Sequence, residues 1–312
     1  MENSRLLQLQ QRYDSGEARA LYELVMQRRF GLSRTDILLG KDTNLSADDK
    51  AELEIIVQRI AKGEPVQYVL GYEEFCGRTF LVGPGVLIPR PETQQLVQLV
   101  QQHLPLGSRV LDVGTGSGCI AITLALAGYK VTALDVSEEA LDYARRNAER
   151  LGAEVEFRKE NIMTLSSSPD PSQPPLKGEE RKSPFKGDLE GLNSSPFREG
   201  SLAAIVSNPP YICRKEAEDI DDNVLMHEPH LALFVPDDDP LLFYRAIADY
   251  GLNHLTAGGW LFFETNRAYA GQVGELLQQK GYKDVKIVKD QYDNERFVVG
   301  RLGNFAPSNS LL

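Results

Sequence analysis

The chain has no uncharged apolar run of about 18 residues, the length that a membrane-spanning helix needs. Its first twenty residues carry Glu2, Arg5, Arg12, Asp14, Glu17 and Arg19, which leaves no room for the apolar stretch of a secretory signal. Both absences point to a cytoplasmic protein without a membrane partner. Cysteine is scarce as well: Cys76, Cys119 and Cys213 stand far apart with no C-x-x-C, a pattern that argues against both a disulfide framework and a zinc site. There are four histidines, and in "HEPH" a proline separates His227 from His230 and spoils helical ligand spacing, so no metal site is expected. Cations are in deficit, with 34 Lys and Arg against 45 Asp and Glu for a net charge of −11. The deficit is uneven: residues 1–90 hold 12 against 13, and residues 91–312 hold 22 against 32. A surface that tracks phosphates needs clustered cations, so direct nucleic-acid binding is disfavoured and a basic protein segment is the better match.

What is present reads as two kinds of structure. Up to about residue 72 the apolar residues recur at three- and four-residue spacing, as in Leu6, Leu9, Tyr13 and in Ala20, Leu21, Leu24, Val25. The run "SADDKAELEIIVQRIAKGEP" has Ser46 as N-cap, acids in its first turn, then Ile55, Ile56, Arg59 and Ile60, with Gly63 and Pro65 to stop it. A small helical bundle is expected over 1–72. Residues 73–92 carry aromatic and β-branched residues broken by glycines, a hairpin signature, and end where Pro91 can open a helix. From 93 to 312 strands such as "RVLDVG", "KVTALD" and "LAAIVSN" alternate with helical patterns, which predicts a doubly wound α/β sheet. "DVKIVKD" and "ERFVVGRL" close it as an antiparallel pair. Residues 166–200 interrupt this order with six prolines, seven serines and four glycines, the composition of a disordered insertion.

Two stretches carry chemistry. In "RVLDVGTGSGCIAITLA" a strand runs into Asp112 and then into glycines 114, 116 and 118 before a helix, so the backbone can approach a ligand closely. Twenty-one residues after Gly114 the next strand ends at Asp135, placed to accept hydrogen bonds from a ribose diol. A pyrophosphate turn uses G-x-G-x-x-G, whereas this one is G-x-G-x-G preceded by a carboxylate that would repel phosphate. A cationic sulfonium would be attracted instead, which points to S-adenosylmethionine.

The second stretch is "AAIVSNPPYICRKE". Asn208 stands at the carboxyl end of an apolar strand, where open α/β sheets bind their ligands. Pro209 and Pro210 stiffen the turn, so the Asn208 side-chain oxygen and a neighbouring carbonyl can accept both hydrogens of a planar NH2 group while Tyr211 lies against it. Held in that way the nitrogen becomes more pyramidal, closer to the transition state for attack on a methyl group.

These motifs, together with "GEPVQYVLGYEEFCGRTFLVGPGVLIPRPET", resemble the HemK/PrmC family, methyltransferases that modify the glutamine of the Gly-Gly-Gln loop in peptide chain release factors. The resemblance spans nearly the whole chain. It implies a Rossmann-like S-adenosylmethionine-dependent methyltransferase sheet over 93–312, a hairpin linker over 73–92, and a release-factor recognition domain over 1–72. It implies further that Gly114, Thr115, Gly116, Ser117 and Gly118 line the methionine part of the cofactor beside Asp112. Asp135 would hold the ribose, and Asn161 and Ile162 would flank the adenine. Asn208, Pro209, Pro210 and Tyr211 would bind the glutamine amide, with Asn208, Pro209 and Tyr211 catalytic and Asn208 also touching the cofactor. The chain departs from the family at Ile162, where an aromatic residue is usual, and in the 166–200 insertion. "NPPY" by itself is shared with amino-methyltransferases acting on nucleic-acid bases, which is the alternative activity. A binding module that has lost catalysis is a second rival, opposed by intact Asp112, Asp135 and Asn208.

Overall fold

The computed structural model describes residues 2–166 and 201–303. Almost all of the 166–200 insertion, and so its expected disorder, lies outside those residues. Five helices open the chain: α1 (Glu2–Leu9), α2 (Ser15–Phe30), α3 (Arg34–Leu38), α4 (Ala47–Ala61) and α5 (Val66–Leu70). Local chemistry sets their ends. The Asp14 carboxylate accepts from the Gly16 and Glu17 amides, and Ser33 and Asp36 form a reciprocal capping box. Ser46 caps α4 as expected, each such cap contributing about 1 kcal/mol. Leu9, Tyr22, Met26, Leu53, Val57 and Ile60 form the core of the bundle. The sequence reading placed Ile55 on the helical pattern of α4, but the buried stripe runs Leu53, Ile56, Val57, Ile60 and leaves Ile55 59% exposed.

A hairpin follows, β1 (Tyr72–Phe75) and β2 (Arg78–Leu81). Its two turn residues, Cys76 and Gly77, both have positive φ, the geometry that matches the twist of a two-residue hairpin. Next come α6 (Thr93–His103), β3 (Arg109–Val113), α7 (Cys119–Leu126), β4 (Lys130–Asp135), α8 (Glu138–Leu151), β5 (Val155–Lys159) and α9 (Ile162–Leu165). Pro91 thus lies two residues ahead of α6 rather than opening it. The chain continues through β6 (Leu202–Ser207), β7 (Ile212–Cys213), α10 (Asp222–His227), α11 (His230–Leu233) and β8 (Phe234–Val235). It ends in α12 (Leu242–His254), β9 (Leu255–Glu264), α13 (Ala270–Gln279), β10 (Tyr282–Lys289) and β11 (Glu295–Leu302).

Seven strands form one sheet in the order β10-β11-β9-β6-β3-β4-β5, parallel from β9 to β5, with β11 antiparallel to both of its neighbours. Period-two alternation sorts its residues between two cores. Val110, Ala204, Val206 and Phe262 face α6 and α7, whereas Leu111, Ile205, Leu261 and Phe263 face α12 and α13. The chain leaves β3 toward β4 and β5 on one side and returns at β6 on the other. That reversal opens a crevice at the carboxyl ends of β3 and β6, the place where such sheets bind ligands. No helix among the described residues is long and apolar enough to cross a membrane.

Candidate active site

The turn after β3 lies on one side of the crevice. Gly114 and Thr115 donate their amides to the Leu134 carbonyl at 2.9 and 3.0 Å, folding the turn back onto β4. Gly114 and Gly116 line a cavity of about 190 Å3, and a Cβ on either would meet no atom within 4 Å, so open space adjoins the bare backbone. Gly118 serves another purpose. A Cβ there would come within 2.8 Å of Ile122 Cδ1 and 3.1 Å of Ala144 Cβ, so its absence lets α7 and α8 pack.

Asp135 lines the same cavity, and its carboxylate accepts from the Gly116 amide and the Ser137 amide, both at 2.9 Å. Burial raises its pKa, and those amides pull it back. Asn161 and Ile162 also line the cavity, with Asn161 capping α9 by accepting from the Met163 amide at 2.9 Å. Asp112 lies behind the turn and does not line the cavity; its side chain is fully buried. It accepts from the Thr115 hydroxyl at 2.7 Å, while its Oδ1 has no hydrogen-bond partner among the described residues. Burial, reinforced by the nearby charge of Asp135, pushes this carboxyl up to about 7. Thr115, Ser117 and Gly118 likewise lie outside the lining.

The proline turn forms the other side. Ser207 Oγ donates to the Val113 carbonyl at 2.7 Å, which ties the end of β6 to the end of β3. Beyond it, Asn208 and Pro209 line the 190 Å3 cavity and also a second one of about 310 Å3 that contains Arg90 and Tyr211. The two cavities therefore share a wall, in which the first two residues of "NPPY" stand with Leu87 and Ala232. Pro210 lines the first cavity. The second is roofed by the 214–235 segment, held down where buried Glu228 accepts from Arg90 Nη2 at 2.7 Å and from the Ile88 amide at 3.1 Å. The helical bundle grips the same segment: Arg12 donates twice to Asn223 Oδ1, and Asn223 Nδ2 donates to the Tyr13 hydroxyl.

Sequence reasoning missed a buried carboxylate beside the proline turn. Glu264, at the end of β9, accepts from the Thr93 hydroxyl at 2.7 Å and from the Tyr211 hydroxyl at 3.4 Å. Burial raises its pKa to about 7. The signal was available, because an acid ending the apolar run "GGWLFFE" is costly unless something uses it. Among the described residues no group of three or more His, Cys, Asp or Glu is arranged to hold a metal.

Known proteins resemble this chain over most of its length. Residues 6–71 match the PrmC N-terminal domain, and residues 110–173 match a methyltransferase domain. A release factor glutamine methyltransferase from Bacteroides thetaiotaomicron is 44% identical over 93% of this chain and 95% of its own length. The chain belongs to the release factor glutamine methyltransferase family. Proteins of the same name from Flavobacterium psychrophilum and Koribacter versatilis are 35% and 36% identical, each over 92% of this chain and 92% of their own lengths. The family likeness thus spans the helical bundle and the sheet together, and the seven-stranded sheet is the family's methyltransferase fold.

Proposed function

We propose that this chain transfers a methyl group from S-adenosylmethionine to the side-chain amide nitrogen of the glutamine in the Gly-Gly-Gln motif of peptide chain release factors, in the cytoplasm. The observation that carries the reading is the position of Asn208 and Pro209 in the wall between two cavities, one on the glycine side and one on the tyrosine side. The glycine-side cavity suits the methyl donor: Gly114 and Gly116 leave bare backbone for a close approach, Asp135 offers carboxylate oxygens, and Asn161 and Ile162 supply a partly apolar end. When bound, S-adenosylmethionine supplies an electrophilic methyl group on a sulfonium. Asp135 receives the ribose hydroxyls through lone pairs that the Gly116 and Ser137 amides leave free. On the other side Asn208 Oδ1 and a carbonyl of the proline turn accept the two hydrogens of the glutamine amide, with Tyr211 against its plane. Two acceptors drawing those hydrogens out of plane weaken the amide conjugation and raise the nucleophilicity of the nitrogen. Residues 1–72 serve as the recognition surface, coupled to the glutamine cavity through Arg12, Tyr13 and Asn223.

A nucleic-acid base could also present an exocyclic NH2 to this turn, but the net charge of −11 opposes a phosphate backbone. Labelled methyl transfer to purified release factor, to a release factor with its Gly-Gly-Gln glutamine replaced, and to duplex DNA separates the two. Label in the first alone is expected, and label in DNA would sink the glutamine assignment.

A further inference from the structure

Asn208 can be useful as an acceptor only if its amide faces the right way, and an Asn side chain turned by 180° would present hydrogens instead. The direction follows from a count of protons. Thr93, the last residue of "IPRPET", has one hydroxyl hydrogen and donates it to Glu264 Oε2 at 2.7 Å. The same oxygen lies 3.4 Å from the Asn208 amide nitrogen. A hydroxyl whose hydrogen is committed to a carboxylate can only accept from its other neighbour. The Asn208 group turned to Thr93 is therefore its NH2, and its oxygen is left for the opposite direction.

We propose that Thr93 and Glu264 are positioning residues for Asn208: a one-way chain, Asn208 N–H to Thr93 O–H to the Glu264 carboxylate, keeps the Asn208 oxygen available to the acceptor amide and sets the site to read a hydrogen-bond donor. The Tyr211 hydroxyl, 3.4 Å from Glu264 Oε1, ends on the same carboxylate, so one buried charge orients both polar residues of the motif. Three remote segments meet here, since Thr93 starts α6, Glu264 ends β9, and Asn208 follows β6.

The chain keeps its direction only while Glu264 is ionised. Once protonated, Glu264 can donate to Thr93, which frees the Thr93 hydrogen for a flipped Asn208. Around Glu264 stand Arg296 from β11, which favours the carboxylate, and Glu92 just ahead of α6, which opposes it. Tyr211 faces it from the proline turn, and Tyr244 from α12 donates to its backbone carbonyl at 3.1 Å. With burial as the largest influence, its pKa of about 7 means that the working form is half-populated near that pH, grows as pH rises above it and is lost as pH falls below it.

The inference rests on the methyl-transfer reading but can fail separately from it. In single-turnover transfer from methyl-labelled S-adenosylmethionine to purified release factor, Thr93→Val keeps the volume and removes the hydroxyl. Its rate constant should fall about tenfold, the worth of one well-placed hydrogen bond, while KM for release factor moves less than about twofold. Thr93→Ser should restore most of the rate. Glu264→Gln should be slow and should lose the acidic limb that wild type shows near pH 7. Should Glu264→Gln fail to fold, judged by its melting curve, the two Thr93 variants still decide. Thr93→Val at the wild-type rate, Thr93→Ser as slow as Thr93→Val, or an acidic limb persisting in a folded Glu264→Gln would overturn the positioning chain. Wild type that labels no glutamine would overturn the functional reading itself, and the chain with it.

Discussion

The turns after β3 and β6 sit side by side at the carboxyl ends of neighbouring strands, yet they solve opposite problems. The first, "GTGSG", presents backbone; the second, "NPPY", presents side chains from a backbone stiffened by two prolines. Each rests on a buried carboxylate that accepts from a threonine hydroxyl at 2.7 Å, Asp112 from Thr115 and Glu264 from Thr93. What differs is where the carboxylate's influence goes. Asp112 pins the turn that carries it, whereas Glu264 reaches across from another strand to aim a side chain it does not adjoin in sequence. A backbone cradle can be held by local chemistry, but aiming a side chain needs a partner fixed by the rest of the fold.

Breaking the proline turn should therefore cost catalysis, and breaking the glycine turn should cost cofactor binding. The largest effect is expected for Asn208→Ala, with kcat lower by roughly 100-fold or more, the typical loss of one transition-state polar contact. Its affinity for release factor should hardly change, and a wild-type single-turnover rate would remove the amide clamp from the mechanism. Asp135→Ala should do the reverse. Loss of charge-assisted hydrogen bonds worth about 1.5–3 kcal/mol each should raise the Kd for S-adenosylhomocysteine by roughly 10- to 100-fold, as read by calorimetric titration.

Within the glycine turn the contrast sharpens. Gly116 has φ +55° and Gly118 φ +81°, so alanine at either pays about 1–2 kcal/mol for a left-handed backbone. Only Gly118→Ala also drives a Cβ into Ile122 and Ala144, so its melting temperature should fall further. Gly116→Ala, which adds its methyl beside the cavity, should weaken S-adenosylhomocysteine binding more; equal behaviour of the two would erase the distinction. The smallest effect concerns Asp112. Its pKa rises from the ordinary 3.8 to about 7 on folding, so the folded chain keeps a proton that the unfolded chain releases. Stability therefore falls as pH rises across that window. Asp112→Asn lacks this dependence, and its melting temperature relative to wild type should climb from pH 5 to pH 8. A constant difference would mean that Asp112 titrates normally.

Much of this was legible in the residues because it follows local rules. Strand alternation, the spacing of glycines 114, 116 and 118, the Ser46 cap and the prolines of "NPPY" act over a few residues, within reach of φ restriction and one hydrogen bond. Those features announced the alternating α/β order, the helical bundle before it and the two turns that border the cavities. Other facts depend on which strand lies beside which. The Thr93–Glu264 bond joins residues 171 apart, and the Arg90–Glu228 pair joins residues 138 apart. Neither separation carries a period or a spacing that a reader could detect. Asp112 was legible as an acid before a glycine turn, but its position behind that turn follows from alternation along β3 within a closed sheet. Ile55 fitted the helical pattern, and only the packing of α4 on its neighbours turned it to solvent. Sequence, acting through local sterics and short-range hydrogen bonds, determined the elements and the two turns; the order of strands, settled by burial of both sheet faces, decided which distant charges and hydroxyls stand beneath them.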